Sequence, residues 1–505
     1  MKKNWLTFVT VVLVLSAALS GCAGGKKEDH RQSNSLTVGI QQDIDSLDPH
    51  KAVAAGTKEI LFNVYEGLVK PDENGNLVPA VASDVHISDD GCEYTFTIRE
   101  NVKFHDGTTL DAEDVVYSLK RVAGLLDVQD PSVVVDSAFS SVAEISASGN
   151  EVKIVLSKPN TELLGYLTCA IIPKDNTTCD KTPVGTGPYK VAEYKALDKV
   201  VLKKHAEYWG TPANIEDVTF KIIADSDTAT TQMLSGTIDV YAYLTADQAK
   251  EVEKSFRIEE GSMGLVQGMF LNNESKLFSD VRVRQALNYA VNRQGILEMI
   301  ADGKGTVLAS DMFPGFATYY NESTANVYEY NPTKAKELLA EAGYPDGITF
   351  DLIVASGYQY HVDTAQVVAD QLKASNITVN IKTIDDNSWL QDVYKERKYD
   401  ATLYGLAAKV VVPGRVLSRY TQSASNNFIN YKNAAYDELF AKAAGSIDDA
   451  EKQALYKEME AMLTDEAASV YLQDPALLVA VNPKLEGYKF YPIFVQDIAS
   501  LRWTD

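Results

Sequence analysis

Cysteine and histidine are scarce in this chain, with four of the first and six of the second among 505 residues. Four cysteines are too few for a disulfide scaffold. His30, His50, His86, His105, His205 and His361 stand singly, with no pair at helical or turn spacing and none beside a cysteine, so a metal site is not expected. Nucleophile elbows of the Gly-x-Ser-x-Gly type and a Walker lysine are missing. Gly185-Thr186-Gly187 lacks the further glycine and the helix opening of a nucleotide fingerprint. Carboxylate pairs exist (Asp89-Asp90, Asp385-Asp386, Asp448-Asp449), but in turn-like surroundings where solvated loop charge explains them better than acid–base chemistry. Neither an enzyme nor a cofactor is expected. Positive charge is also short: 47 Lys and Arg stand against 70 Asp and Glu, a net charge of −23. That balance argues against nucleic acid and against basic docking on anionic lipid. Beyond the first residues, no stretch reaches the roughly 18 apolar residues that spanning a bilayer requires, and no repeat of roughly 20 to 50 residues is visible.

What is present is an ordinary globular composition, 45% apolar and 23% charged. The chain is long enough for two or three domains. Its start reads as an address. Lys2 and Lys3 precede an apolar run from Trp5 to Leu15, and small residues lead to Leu19-Ser20-Gly21-Cys22. This ending resembles the bacterial lipobox, so 1–21 is expected to be a lipoprotein signal peptide and Cys22 the acylated residue. The polar stretch 22–34 reads as a flexible tether that leaves the body in water. Removing 1–21 takes away only Lys2 and Lys3, which moves the net charge from −23 to −25. Cys169 and Cys179 bracket a turn-rich segment. They either close it with a disulfide or join Cys92 as free thiols, and the sequence leaves both readings open.

In the body, strand-like and helix-like patterns alternate. Strands are expected at 35–40, 93–99 (Tyr94, Phe96 and Ile98 on one face) and 152–156. A helix is expected at 111–121, with acids first and Lys120 and Arg121 last. Ser279 is placed to cap a helix through Val291, and Asn331-Pro332 to open one that Gly343 ends. Strand 349–355, helix 362–374 and strand 377–384 form a βαβ unit, continued by a helix near 389–397 and a strand at 401–405. Alternation of this kind predicts an α/β fold with a mixed or parallel sheet covered on both faces.

Several phrases, taken in order, resemble the family 5 solute-binding proteins of ABC importers (the oligopeptide, dipeptide and nickel-chelate binders). They are Ser46-Leu47-Asp48-Pro49, Tyr65-Glu66-Gly67-Leu68, the stretch 94–120, Pro183 to Tyr189, Tyr208-Trp209-Gly210, Gly236 to Asp239, Asp280 to Leu287, Glu341 to Tyr344, and Ser425-Asn426-Asn427. The resemblance implies a two-lobe periplasmic-binding-protein-like fold with an extra subdomain. Lobe I would comprise 35–264 and 479–505, with the subdomain at about 48–182, and lobe II 270–475. Two crossings would join them, near 265–272 and 471–478. It implies further that a peptide or peptide-like solute is enclosed between the lobes and passed to a membrane permease and its ATPase. The protein would act as a monomer that meets the membrane only through its lipid. An opine, a metal chelate or another anionic compound is the alternative solute, and a surface receptor that does not transport is the alternative role.

In peptide-binding relatives the ligand backbone pairs with extended segments of both lobes. By resemblance these fall on Val53-Ala54-Ala55 and on Gly405-Leu406-Ala407, just after Tyr404. Asn272, Tyr358, Trp389, Asn426 and Asn427 are placed as walls or polar rims. One position departs from the family. Relatives read Gly-Trp-x-x-Asp after the lobe II strand, and that aspartate receives the peptide's amino terminus. Here Lys409 takes its place in Gly405 to Pro413. An ammonium ~4 Å from Lys409 would be repelled by ~4 kcal/mol at an effective dielectric of ~20. The cleft is therefore expected to prefer a carboxylate, a phosphate or an N-blocked group there, aided by Arg415 or Arg419.

Overall fold

The computed structural model describes residues 34–504 apart from Asp175, Ala408–Val411 and Phe494. Its frame is one twisted, mixed sheet. In spatial order it runs Ile377–Ile384, Ile348–Ala355, Ala401–Ala407, Leu265–Leu271, Ser469–Val481, Val240–Tyr241, Ser35–Ile40, Asp217–Ile222, Lys199–Lys204, Tyr189–Lys195. The long strand Ser469–Val481 belongs to both halves. Its first residues pair with Gln267–Phe270, while Ala476–Val481 pair with Arg257–Ser262. The chain makes its other passage at Met263-Gly264, between those two partner strands, where Gly264 adopts φ +65°. Asp474 closes this corner by accepting hydrogen bonds from Ser262 Oγ (2.7 Å) and the Leu265 N–H (3.2 Å).

Local rules explain most elements. Glu93–Ile98 buries alternate residues as its pattern requires and joins an antiparallel sheet with Ala82–Ile87, Glu151–Leu156 and Val142–Ser148. Helix Ala112–Ala123 packs on that sheet. Asp111 and Asp114 form its capping box, and Gly124 ends it at φ +72°. The βαβ unit is parallel in register Ile348↔Ile377, with helix Gln359–Leu372 beginning three residues before its expected start. Asn331 caps Pro332–Glu341 as its sequence suggests. In the helix Val281–Ala290, Asp280 supplies the cap in place of Ser279, whose hydroxyl donates to the Lys276 carbonyl.

The three described cysteines, Cys92, Cys169 and Cys179, are free thiols. A Cys169–Cys179 bridge is not formed. Cys179 is packed in the core beneath Ser35–Ile40, while Cys169 packs against the core of the smaller sheet. Cys22 lies outside the described residues.

Candidate functional site

A cavity of about 690 Å³ lies where the segment 49–78, the smaller sheet region, the C-terminal segment and the Val412–Arg415 turn converge. Its position follows from three sets of contacts that the sequence motifs encode.

The first set fixes the loop after Ser35–Ile40. Arg121 reaches back from its helix to clasp Asp48 with both terminal nitrogens, Nη1 to Oδ1 at 2.9 Å and Nη2 to Oδ2 at 2.7 Å. Arg121 Nη1 also donates to His50 Nδ1, so His50 carries its proton on Nε2, which donates to the Ala170 carbonyl at 2.8 Å. Burial holds the His50 imidazole down at about 4, and it stays neutral. Burial would raise the Asp48 carboxyl, but the Arg121 hydrogen bonds and charge outweigh that and hold it below its usual value.

The second set surrounds Glu66. Its carboxylate accepts from Tyr208 (2.7 Å), Trp209 Nε1 (2.6 Å) and Thr186 (3.3 Å), so three of the sequence phrases meet on one side chain. Gly185 and Gly187 lie against the backbone of Asn63 and Val64 so closely that a methyl group at either would collide with it. Packing and turn geometry explain these phrases.

The third set places Val53 and Ala54. Asp45 Oδ2 accepts both of their N–H groups, at 2.8 and 3.1 Å, and Asp45 Oδ1 accepts from Thr57 Oγ1 at 2.5 Å. The Ala54 carbonyl accepts the Lys58 N–H at the start of helix Ala55–Leu61. These bonds bear on Val53-Ala54-Ala55, the segment expected to pair with a ligand backbone. The first two N–H groups are already used, and Ala55 begins a helix. Val53 still lines the cavity, with 46% of its surface exposed.

The opposite segment behaves differently. Tyr404 to Ala407 pair with Gly268 to Leu265 on one side, whereas pairing with Ile348–Ala355 stops at Val354↔Leu403. Among the described residues, Gly405-Leu406-Ala407 therefore present one edge that no strand covers. Ala407 packs against the same core as Ala52, Leu61 and Tyr65, three residues of the cavity wall. Trp389 supports this strand from behind: its ring stacks on Tyr404 at 3.9 Å and its Nε1 donates to Thr402 Oγ1 at 2.8 Å.

Other expected wall residues lie elsewhere. Asn272 donates to the Tyr399 carbonyl and accepts from Asn430, and Asn427 holds the carbonyls of Thr421 and Tyr431. Both staple loops together through these bonds, as buried amides must find partners, and neither lines the cavity. Asn426 offers its carbonyl to the Phe428 N–H and does not line the cavity. Tyr358 is inserted into the N-terminal core, 5.9 Å from Tyr243, in the neighbourhood of buried Glu59. Arg419 is placed beside buried Asp311, away from the cavity. Arg415 does line it, ion-paired with Asp136. Lys409 lies outside the described residues.

Sequence reading missed Asp45, Asp136 and the inward turn of Arg121. Asp136 and Arg415 are separated by 279 positions, and no local spacing could have joined them.

A two-lobed α/β chain with two passages between its halves and a solute-sized cavity is a binding protein of the periplasmic type. Comparison with known proteins gives the family. The description "Bacterial extracellular solute-binding proteins, family 5 Middle" matches residues 76–428, and the chain belongs to this family. It is 26% identical to the oligopeptide-binding protein AppA of Bacillus subtilis over 97% of both chains. It is 28% identical to the glutathione-binding protein GsiB of Escherichia coli (strain K12) over 95% of both. Its fold matches the periplasmic binding protein DppA of Helicobacter pylori in complex with the peptide STSA, at TM-score 0.83 and 25% identity, covering 93% of this chain and 98% of that one. The chain is thus an extracytoplasmic solute-binding protein of the ABC-importer type, and not an enzyme.

Proposed function

We propose that this protein captures a peptide or peptide-like solute between its lobes and delivers it to a membrane permease driven by its ATPase. The observations that support this reading are the cavity on the lobe I side that takes Val412 and Arg415 from the other half, and the uncovered edge Gly405–Ala407. That edge supports strand addition by an extended backbone, which needs few specific side chains. We assign 35–264 with 479–505 to lobe I, 270–475 to lobe II, and 48–182 to the extra subdomain. Cys22 would carry the lipid after removal of 1–21, readable as added lipid mass on protein extracted from membranes.

The solute is one without an ordinary free amino terminus at the lobe II strand, because Lys409 stands where relatives carry the ammonium-binding aspartate. Calorimetry with matched free and N-acetylated peptides tests this. The wild type should favour the blocked form, and Lys409→Asp should reverse the order. Equal affinities in both proteins would remove the charge-reversal argument while leaving peptide capture standing.

A further inference from the structure

Arg415 and Asp136 meet at the end of the cavity where the subdomain touches lobe II. The Arg415 guanidinium lies 5.2 Å from the centroid of the Tyr166 ring, and all three residues line the cavity. This ion pair differs from the Asp48–Arg121 clasp. Its side chains keep 30% and 27% exposure against 5% and 2% for Arg121 and Asp48, so a solute can reach both charges. Each partner is also positioned without the other. Gly414, next to Arg415, donates its N–H to Glu162 Oε1 at 3.2 Å, and the Tyr456 hydroxyl donates to the same oxygen at 2.8 Å. Val412 fits against Gly165 with no room for a methyl group there. Asp136 is held by its own turn, where Oδ1 caps the Ala138 N–H at 3.1 Å.

We propose that Arg415 is the oxyanion-reading group of this cavity, and that Asp136 is a built-in counter-ion standing where a carboxylate or phosphate of the solute docks. This rests on reading the cavity as the solute site. A guanidinium held beside an aromatic ring and bonded to one carboxylate can exchange that partner for another oxyanion in bidentate contact. A solute anion takes the place of Asp136 Oδ2 at Arg415, while Asp136 keeps its Oδ1 contact to the Ala138 N–H and its charge is met by water. Half-exposed ion pairs are weakly held, so a solute anion competes with Asp136 effectively. Beside the pair, Val134 offers apolar surface for the rest of the solute.

The test needs no identified solute. Melting of the full chain is followed in acetate and in inorganic phosphate, against chloride at matched ionic strength. Asp136→Asn removes the internal competitor and should respond to oxyanion at roughly tenfold lower concentration than wild type, the size of one charge-assisted hydrogen bond. The double variant Asp136→Asn with Arg415→Gln should lose that gain, and pairing Asp136→Asn with Arg415→Lys should retain only part of it. Response to acetate but not phosphate assigns the carboxylate, and the converse assigns the phosphate. An Asp136→Asn response equal to wild type, or a gain that persists in the double variant, overturns the proposal. If the anion response appears while no solute closes the lobes, the solute reading fails and the anion site stands. Closure by a solute without any anion response overturns the anion site and leaves the solute reading standing.

Discussion

Arg121→Ala should lower the folding free energy by about 3–5 kcal/mol, the cost of leaving one half of a buried ion pair uncompensated. The Asp48 carboxylate is 2% exposed and receives both Arg121 terminal nitrogens, while the Lys51 amine lies 3.9 Å away. His50 would lose its donor as well. Because this clasp secures the loop carrying Ala52 and Val53, the cavity wall should loosen with it. The double variant Asp48→Asn with Arg121→Met should recover much of the loss, since removing both charges removes the uncompensated one. Chemical denaturation of the three proteins decides the matter. A loss below about 1 kcal/mol in Arg121→Ala would show that water already reaches Asp48.

Stability should also fall on the alkaline side of neutrality. Desolvation raises Glu59, Asp311 and Asp474 to about 7 and Glu460 to about 8, and it raises Asp114, Glu162 and Asp386 as well. An acid raised in the folded state contributes stability fully below its unfolded value and loses it as pH rises through the folded one. Desolvation lowers four histidines, His50 and His105 to about 4, His361 to about 3, and His205 in the same direction. These act in the opposite sense, costing stability as pH falls below their unfolded value of 6.5. Between pH 4.5 and 6.5 the two sets largely cancel. From pH 6.5 to 8 the histidine contribution dies away while the acids titrate at about 1.4 kcal/mol per unit for each group, a net loss on the order of 3 kcal/mol. Denaturant midpoints across this range should therefore be highest in mild acid, and Glu59→Gln and Asp474→Asn should each flatten the decline. A midpoint that rises from pH 6.5 to 8 would contradict the burial argument.

The fold was legible where local chemistry speaks for itself. The alternation in Glu93–Ile98 and the cap Asn331 are strong local signals that hold in the structure, and the helix expected at 111–121 forms with Asp111 as its cap. The start of Gln359–Leu372 was not legible, because Tyr358 supplies no side-chain cap and is instead buried against the other half of the molecule. The site was less legible than the fold. Asn272, Asn427 and Trp389 are residue types that bind ligands well, but they also satisfy buried backbone and side-chain groups well, and here they do the latter. Asp45 reads in sequence as one loop acid among several, yet its carboxylate holds the N–H groups expected to face a ligand.

The central claim is that a solute enters between the lobes and closes them, and small-angle scattering with a solute titration tests it most directly. Protein stripped of bound solute and then titrated with N-acetylated peptides should contract on binding. Its melting temperature should rise in step, by an amount equivalent to about 2.7 kcal/mol at a hundredfold excess over Kd. A peptide that raises the melting temperature while leaving the scattering radius unchanged would contradict capture by closure.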